Sequence, residues 1–137
     1  MKLKIEPFEQ PIEILVEVIL NPSEDIKKVQ KAVFNLFKAE PIPNNNDITK
    51  LTLKTSDPNS LNTIYDQLRI RKSIAVARRQ LLKNIINDSS TLFLNKQTAF
   101  VGVLNICEEE NESPLGPIKL MVKSTDIRKF IDWISPK

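Results

Sequence analysis

The chain has 137 residues, 27% of them charged, with a formal net charge of +3, no histidine, one cysteine and two glycines. That length suits one domain. Without imidazole the commonest acid–base catalyst and the usual zinc or copper ligand are missing, and one cysteine, Cys107, cannot close an internal disulfide. Two glycines leave no glycine-rich phosphate loop, so composition favours a binding protein over an enzyme, with no cofactor and no metal.

The opening eleven residues carry charge and two prolines. They read as a loosely ordered extension rather than a signal peptide. Ile12, Ile14, Val16, Val18 and Leu20 then alternate with Glu13, Leu15, Glu17 and Ile19, a period of two that predicts a strand with one buried and one mixed face. Its glutamates also rule out a membrane span, which suits a soluble, cytoplasmic protein. Asn21-Pro22-Ser23-Glu24 predicts a helix start, with Asn21 as cap and Glu24 reaching back. That helix should reach about Lys38 and bury Ile26, Val29, Val33, Leu36 and Phe37. Pro41, Pro43 and Asn44 to Asn46 end it in a loop.

A second strand is expected over Ile48 to Thr55, then a short helix opened by Asp57-Pro58 that buries Leu61, Ile64, Tyr65 and Leu68. The next helix is the basic one. Between Arg69 and Lys83 stand six cations and no acid, so this segment's +6 against +3 overall leaves the rest at −3. Ile70, Ile74, Ala77, Leu81 and Ile85 form a helix-period apolar row; Arg71, Lys72, Arg78, Arg79 and Lys83 fall away from it, and Arg69 lies nearer the preceding turn. Such a face suits a polyanion, because guanidinium groups bridge phosphate oxygens in pairs. It is equally what a solvated helix face looks like.

Leu92, Phe93 and Leu94 predict a short strand, Asn95-Lys96-Gln97 a turn, and Ala99 to Ile106 a strong strand. Lys96 and Gln97, displayed on that turn, are candidates for a phosphate and a base or ribose contact. Gly102 inside the strand predicts a bulge or a close approach. Glu108, Glu109, Glu110 and Glu112 make an acidic, solvated hairpin connection. A further strand holds Ile118, Leu120 and Val122, and Thr125 or Asp126 caps a last helix burying Ile127, Phe130, Ile131 and Ile134. The expected architecture is a single α+β domain over 1–137, in the order β-α-β-α-α-β-β-β-α. Its mostly antiparallel sheet carries helices on one face.

The string Phe93 to Gly102, the Asn21 to Asp25 entry and Ser113 to Ile118 together resemble a small archaeal family. That family is labelled RNA-binding and has been proposed as an exosome accessory. The resemblance runs from about residue 12 to 134. It implies RNA as partner and a fold similar to the large-subunit ribosomal protein that binds 5S RNA. The RNA-binding candidates are therefore Arg71, Lys72, Arg78, Arg79, Lys83, Lys96 and Gln97. Lys50, Lys54, Lys119 and Lys123 on the outward sheet face either extend that surface or simply keep it soluble. Most aromatics fall at core spacing, leaving Tyr65, Trp133 and Phe8, so structured or double-stranded RNA is favoured over base stacking. The rival reading is a protein-interaction module or homodimer built on Leu15, Ile19, Val101, Val103 and Met121, or on a strand edge. A carboxylate-and-metal nuclease resting on Glu13 and Glu17 has little support.

Overall fold

The alternation in the first strand decides the layering. In the computed structural model, which describes residues 8–38, 49–109, 112 and 115–137, β1 (Ile12–Ile19) buries Ile12, Ile14, Val16 and Val18. Its other side keeps Glu13, Leu15, Glu17 and Ile19 partly or fully exposed. β2 (Lys50–Thr55), β3 (Ser89–Leu94) and β4 (Ile118–Ser124) repeat the pattern. The four strands form one antiparallel sheet in the order β2-β1-β4-β3. The inward rows meet α1 (Ile26–Leu36), α2 (Asn62–Ile70), α3 (Ile74–Lys83) and α5 (Ile127–Ile134) in one hydrophobic cluster. This is an α+β fold. Phe130, 1% exposed, belongs to this cluster; truncating such a ring to alanine costs roughly 3–5 kcal/mol.

The first helix begins later than its turn signals predict. Asp25, not Asn21, is the cap, its carboxylate accepting from Lys27 N at 2.9 Å. Asn21 and Glu24 still bond reciprocally, but as a separate turn: Glu24 N donates to Asn21 O, and Glu24 Oε1 accepts from Asn21 N. Ile26, expected in the core, is 47% exposed, and Ala32 takes a buried place in its stead. α1 stops at Leu36, with Phe37 already extended. The proline–asparagine loop expected at 41–46 lies outside the described residues, as does Ile48. Pro58–Leu61 is a 3-10 turn capped by Asp57, and Asp126 caps α5 through Lys129 N. Of the expected extension, Phe8 packs against Phe130 and Trp133 with ring centroids 5.9 and 5.3 Å apart.

One segment departs from its pattern. Where Ala99 to Ile106 predicts a strand, the chain forms α4 (Lys96–Phe100) and a loop. Asn95 caps α4 by accepting from Thr98 N at 2.9 Å, and Ala99 is fully buried. Asn35 of α1 donates to the carbonyls of Ala99 and Phe100 at 2.9 and 3.1 Å. These contacts override the β-branched run, since strand propensity is a matter of context. Gly102 ends the helix at φ +79°. Its N–H donates to Ala99 O and that of Val103 to Thr98 O, the paired bonds of a Schellman cap. Its glycine therefore serves a helix end, not a strand bulge. Only the tail of the predicted strand survives, as a single bridge between Leu94 and Ile106.

Candidate nucleic-acid interface

The basic segment is not one helix. α2 ends at Ile70, and the N–H groups of Lys72 and Ser73 donate to Arg69 O and Leu68 O. That is a second Schellman cap, with Lys72 at φ +55° where glycine is preferred. The apolar row consequently breaks at its first member: Ile70 is 67% exposed, while Ala77 and Leu81 are buried. Arg71 and Lys72 project from the turn, and Arg78, Arg79 and Lys83 from α3.

Arg78 leans toward α5. Its guanidinium donates to Asp132 Oδ1 at 2.7 Å and to Ser135 O at 3.0 Å, and its side chain is only 16% exposed. It braces two helices. Arg79 meets Glu108 at 3.3 Å with both side chains about two-thirds exposed or more; a pair that open is worth about 0–1 kcal/mol and can exchange for another anion. Arg71 donates to Asn105 Oδ1 at 3.3 Å. Lys72 and Lys83 are exposed. Arg69 belongs to the scaffold: it lies 3.4 Å from the Tyr65 ring centroid and donates to the carbonyls of Tyr65, Trp133 and Ile134.

Three contributors carry no signal in sequence. Gln80 is buried in α3, where its amide nitrogen donates to Cys107 O and its oxygen accepts from Phe93 N at 2.7 Å. It fixes α3 on β3 and on the loop before the acidic run. Arg128 and Lys137 join Arg78, Leu82, Asp132 and Pro136 around a groove of about 440 Å³ between α3 and α5. Arg128 and Lys137 are too far from the basic run in sequence for any spacing rule to connect them.

Lys96 does not belong to a displayed surface. It opens α4 and is 4% exposed. Its ammonium donates to Ile19 O and Leu115 O, both at 2.9 Å, and to the Glu24 carboxylate at 3.0 and 3.2 Å. Asn21 Nδ2 adds bonds to Glu24 and to Leu115 O. The three strings singled out in the sequence thus converge on one buried polar node. Burial pushes the Glu24 carboxyl up, but the hydrogen bonds from Asn21 and Lys96 outweigh it and hold it below its ordinary value. Gln97, by contrast, is exposed and lines a cleft with Lys28, Asp25 and Phe100. That cleft lies between α1 and α4, apart from the α3 cations.

Cys107 is buried, and burial with the nearby Glu112 charge raises its thiol pKa, so it stays protonated at neutral pH. Glu108, Glu109 and Glu112 are exposed, and Glu112 accepts from Glu108 N at 2.7 Å; Glu110 lies outside the described residues. Tyr65, Phe8 and Phe130 pack around Trp133 with centroids 5.1 to 6.0 Å apart. The three rings left over for stacking are therefore scaffold as well. Among the described residues no aromatic stands fully exposed, and no helix is long and apolar enough to cross a membrane.

A family model described as RNA binding matches residues 13–124. A UPF0201 protein of Sulfurisphaera tokodaii is 40% identical over 126 residues, covering 90% of this chain and 87% of that one. The crystal structure of an uncharacterised UPF0201 protein superposes with a TM-score of 0.78 at 31% identity, covering 91% of this chain and 94% of the other. The UPF0201 protein of Methanococcus jannaschii gives 0.75 at 28%, covering 91% and 93%. The chain belongs to the family whose model is described as RNA binding, and the relatives it matches are UPF0201 proteins.

Proposed function

We propose that the protein binds RNA without catalysis, gripping phosphates with Arg71, Lys72, Arg79 and Lys83. The α3–α5 groove, with Arg128 and Lys137, extends that surface. The observation that carries the proposal is the state of those cations. Arg71, Lys72 and Lys83 form no ion pair with any described residue, and Arg79 holds only the open contact to Glu108. Arg78 acts here as the brace that shapes the groove. Lys96 drops out, and Gln97 remains a separate, polar outpost.

Double-stranded or otherwise structured RNA fits best. Single-strand readers usually stack bases on exposed aromatic rings, and no described ring here is fully exposed. Charged ends on a turn and a helix crest instead suit the regular phosphates of a duplex. The reading includes the implied likeness to the 5S-RNA-binding ribosomal protein and a cytoplasmic place of action.

Fluorescence anisotropy with a duplex of about 20 base pairs and with either of its strands alone tests the proposal. The duplex should bind at least about tenfold more tightly. Equal binding of strand and duplex would overturn the duplex preference. No binding of either at low salt would overturn RNA binding itself.

A further inference from the structure

The side of the sheet away from the helices is covered by no described element, and its side chains follow a definite charge map. Antiparallel register sets Glu17 beside Lys119, Leu15 beside Met121, and Glu13 beside Lys123 along the central pair β1 and β4. On the outer strands Thr52 and Lys54 lie next to Glu17 and Leu15, and Phe93, Thr91 and Ser89 next to Lys119, Met121 and Lys123. Lys50 reaches Glu17 at 3.3 Å. An open trough of about 270 Å³ runs along this face, with Leu15 and Met121 among its lining residues. The central rows therefore read acid–base, apolar–apolar, acid–base, with every acid on β1 and every base on β4.

We infer that this face binds a second copy of the same chain, sheet to sheet, about a two-fold axis parallel to the strands between β1 and β4. That operation lays β1 of each copy over β4 of the other at the same height along the strand. Glu17 then faces the partner's Lys119, Glu13 the partner's Lys123, and Leu15 the partner's Met121. Each charged row closes into a square of two carboxylates and two ammonium groups, whatever each makes within its own chain. A two-fold across the strands would instead stack β1 on β1 and place Glu13 over Glu17, which like charge disfavours. The twist of stacked sheets carries outer strands out of line, so the two central strands decide the register.

An RNA strand is the less suitable occupant, because Glu13 and Glu17 interrupt the lysines of this face along its middle and repel phosphate there. Four strands about 4.8 Å apart, each rising about 3.3 Å per residue, give a flat area of roughly 400 Å² per copy. That is at or below the small end of specific interfaces, so the pair should dissociate in the micromolar range. The helix surface proposed for RNA lies on the opposite side of the sheet and stays open in such a pair.

The test is solution mass by sedimentation equilibrium across a wide concentration range, with folding checked by circular dichroism. Wild type should move from 15.7 kDa toward twice that mass. The variants E13K/E17K and K119E/K123E should each raise the dissociation constant by more than about 100-fold. Mixed with one another they should pair again, and the fourfold swap E13K/E17K/K119E/K123E should pair with itself. A wild type that stays at the single-chain mass up to several hundred micromolar (about the weakest pairing such an area allows) would overturn the inference. So would self-pairing of E13K/E17K alone, or of K119E/K123E alone, as tight as that of wild type. If K119E/K123E loses the RNA duplex while wild type remains a single chain, the face belongs to RNA and the second copy is wrong.

Discussion

Replacing Lys96 by methionine keeps much of the stem and removes the ammonium group. In the wild type that group satisfies the carbonyls of Ile19 and Leu115 and both oxygens of Glu24. Those acceptors sit at the end of β1, in the turn before α1 and in the loop before β4, three places that nothing else on α4 ties together. After substitution Glu24 keeps only its bonds from Asn21, and two carbonyls lose a charged donor. Breaking a buried pair from one side costs roughly 3–5 kcal/mol, because the remaining charge stays buried without compensation. Against a typical domain stability of about 5–15 kcal/mol, that is a large share. Urea unfolding at neutral pH should show a midpoint far below wild type with a similar slope. Pairing the change with Glu24→Leu should recover part of the loss, since no charge is then stranded. RNA affinity of the folded protein should not move. A stability loss under about 1 kcal/mol, together with weaker RNA binding, would refute the structural assignment and return Lys96 to the binding surface.

The same node predicts acid sensitivity. The folded Glu24 carboxyl lies below its ordinary 4.5, so its contribution is fully present above that value and is lost as pH falls through the folded one. Glu24→Gln should therefore lower stability at neutral pH and flatten the fall below 4.5, read from urea midpoints against pH. Lys72→Gly should stabilise the chain by about 0.5–1 kcal/mol by relieving a left-handed lysine, and should weaken duplex binding at low salt; a loss of stability would show that the turn does not need glycine's freedom. Gly102→Ala should cost about 1 kcal/mol. No atom lies within 4 Å of the added methyl position, so that loss would come from backbone strain alone; an unchanged thermal midpoint would refute the Schellman assignment.

The sheet was legible because its strands bury one face, and Ile12 to Val18 or Ile118 to Val122 announce that by strict alternation. The cap at Asp57 was legible from its Asp-Pro turn signal, and the last cap was narrowed to Thr125 or Asp126, of which Asp126 serves. Two failures have a common cause: Ala99 to Ile106 reads as a strand and Lys96 as a displayed turn residue until their distant partners are known, Asn35 for α4 and Glu24 with two carbonyls for Lys96. Ile70 fails for a local reason, since a Schellman cap with Lys72 in the left-handed region ends α2 where no glycine announces it. Within the candidate interface, local charge density marked Arg71, Lys72, Arg79 and Lys83. It could not separate them from Arg78, which Asp132 holds, nor bring in Arg128 and Lys137 from the far end of the chain.

The salt dependence of duplex RNA binding tests the phosphate grip most directly. With about five phosphates engaged, the logarithm of the association constant should fall with the logarithm of salt at a slope of about −4.5. Replacing Lys72, Arg79 and Lys83 together by alanine should make that slope shallower by about 2–3, with the unfolding midpoint little changed. A slope that is the same in wild type and triple variant would contradict the claim that this surface grips the phosphates.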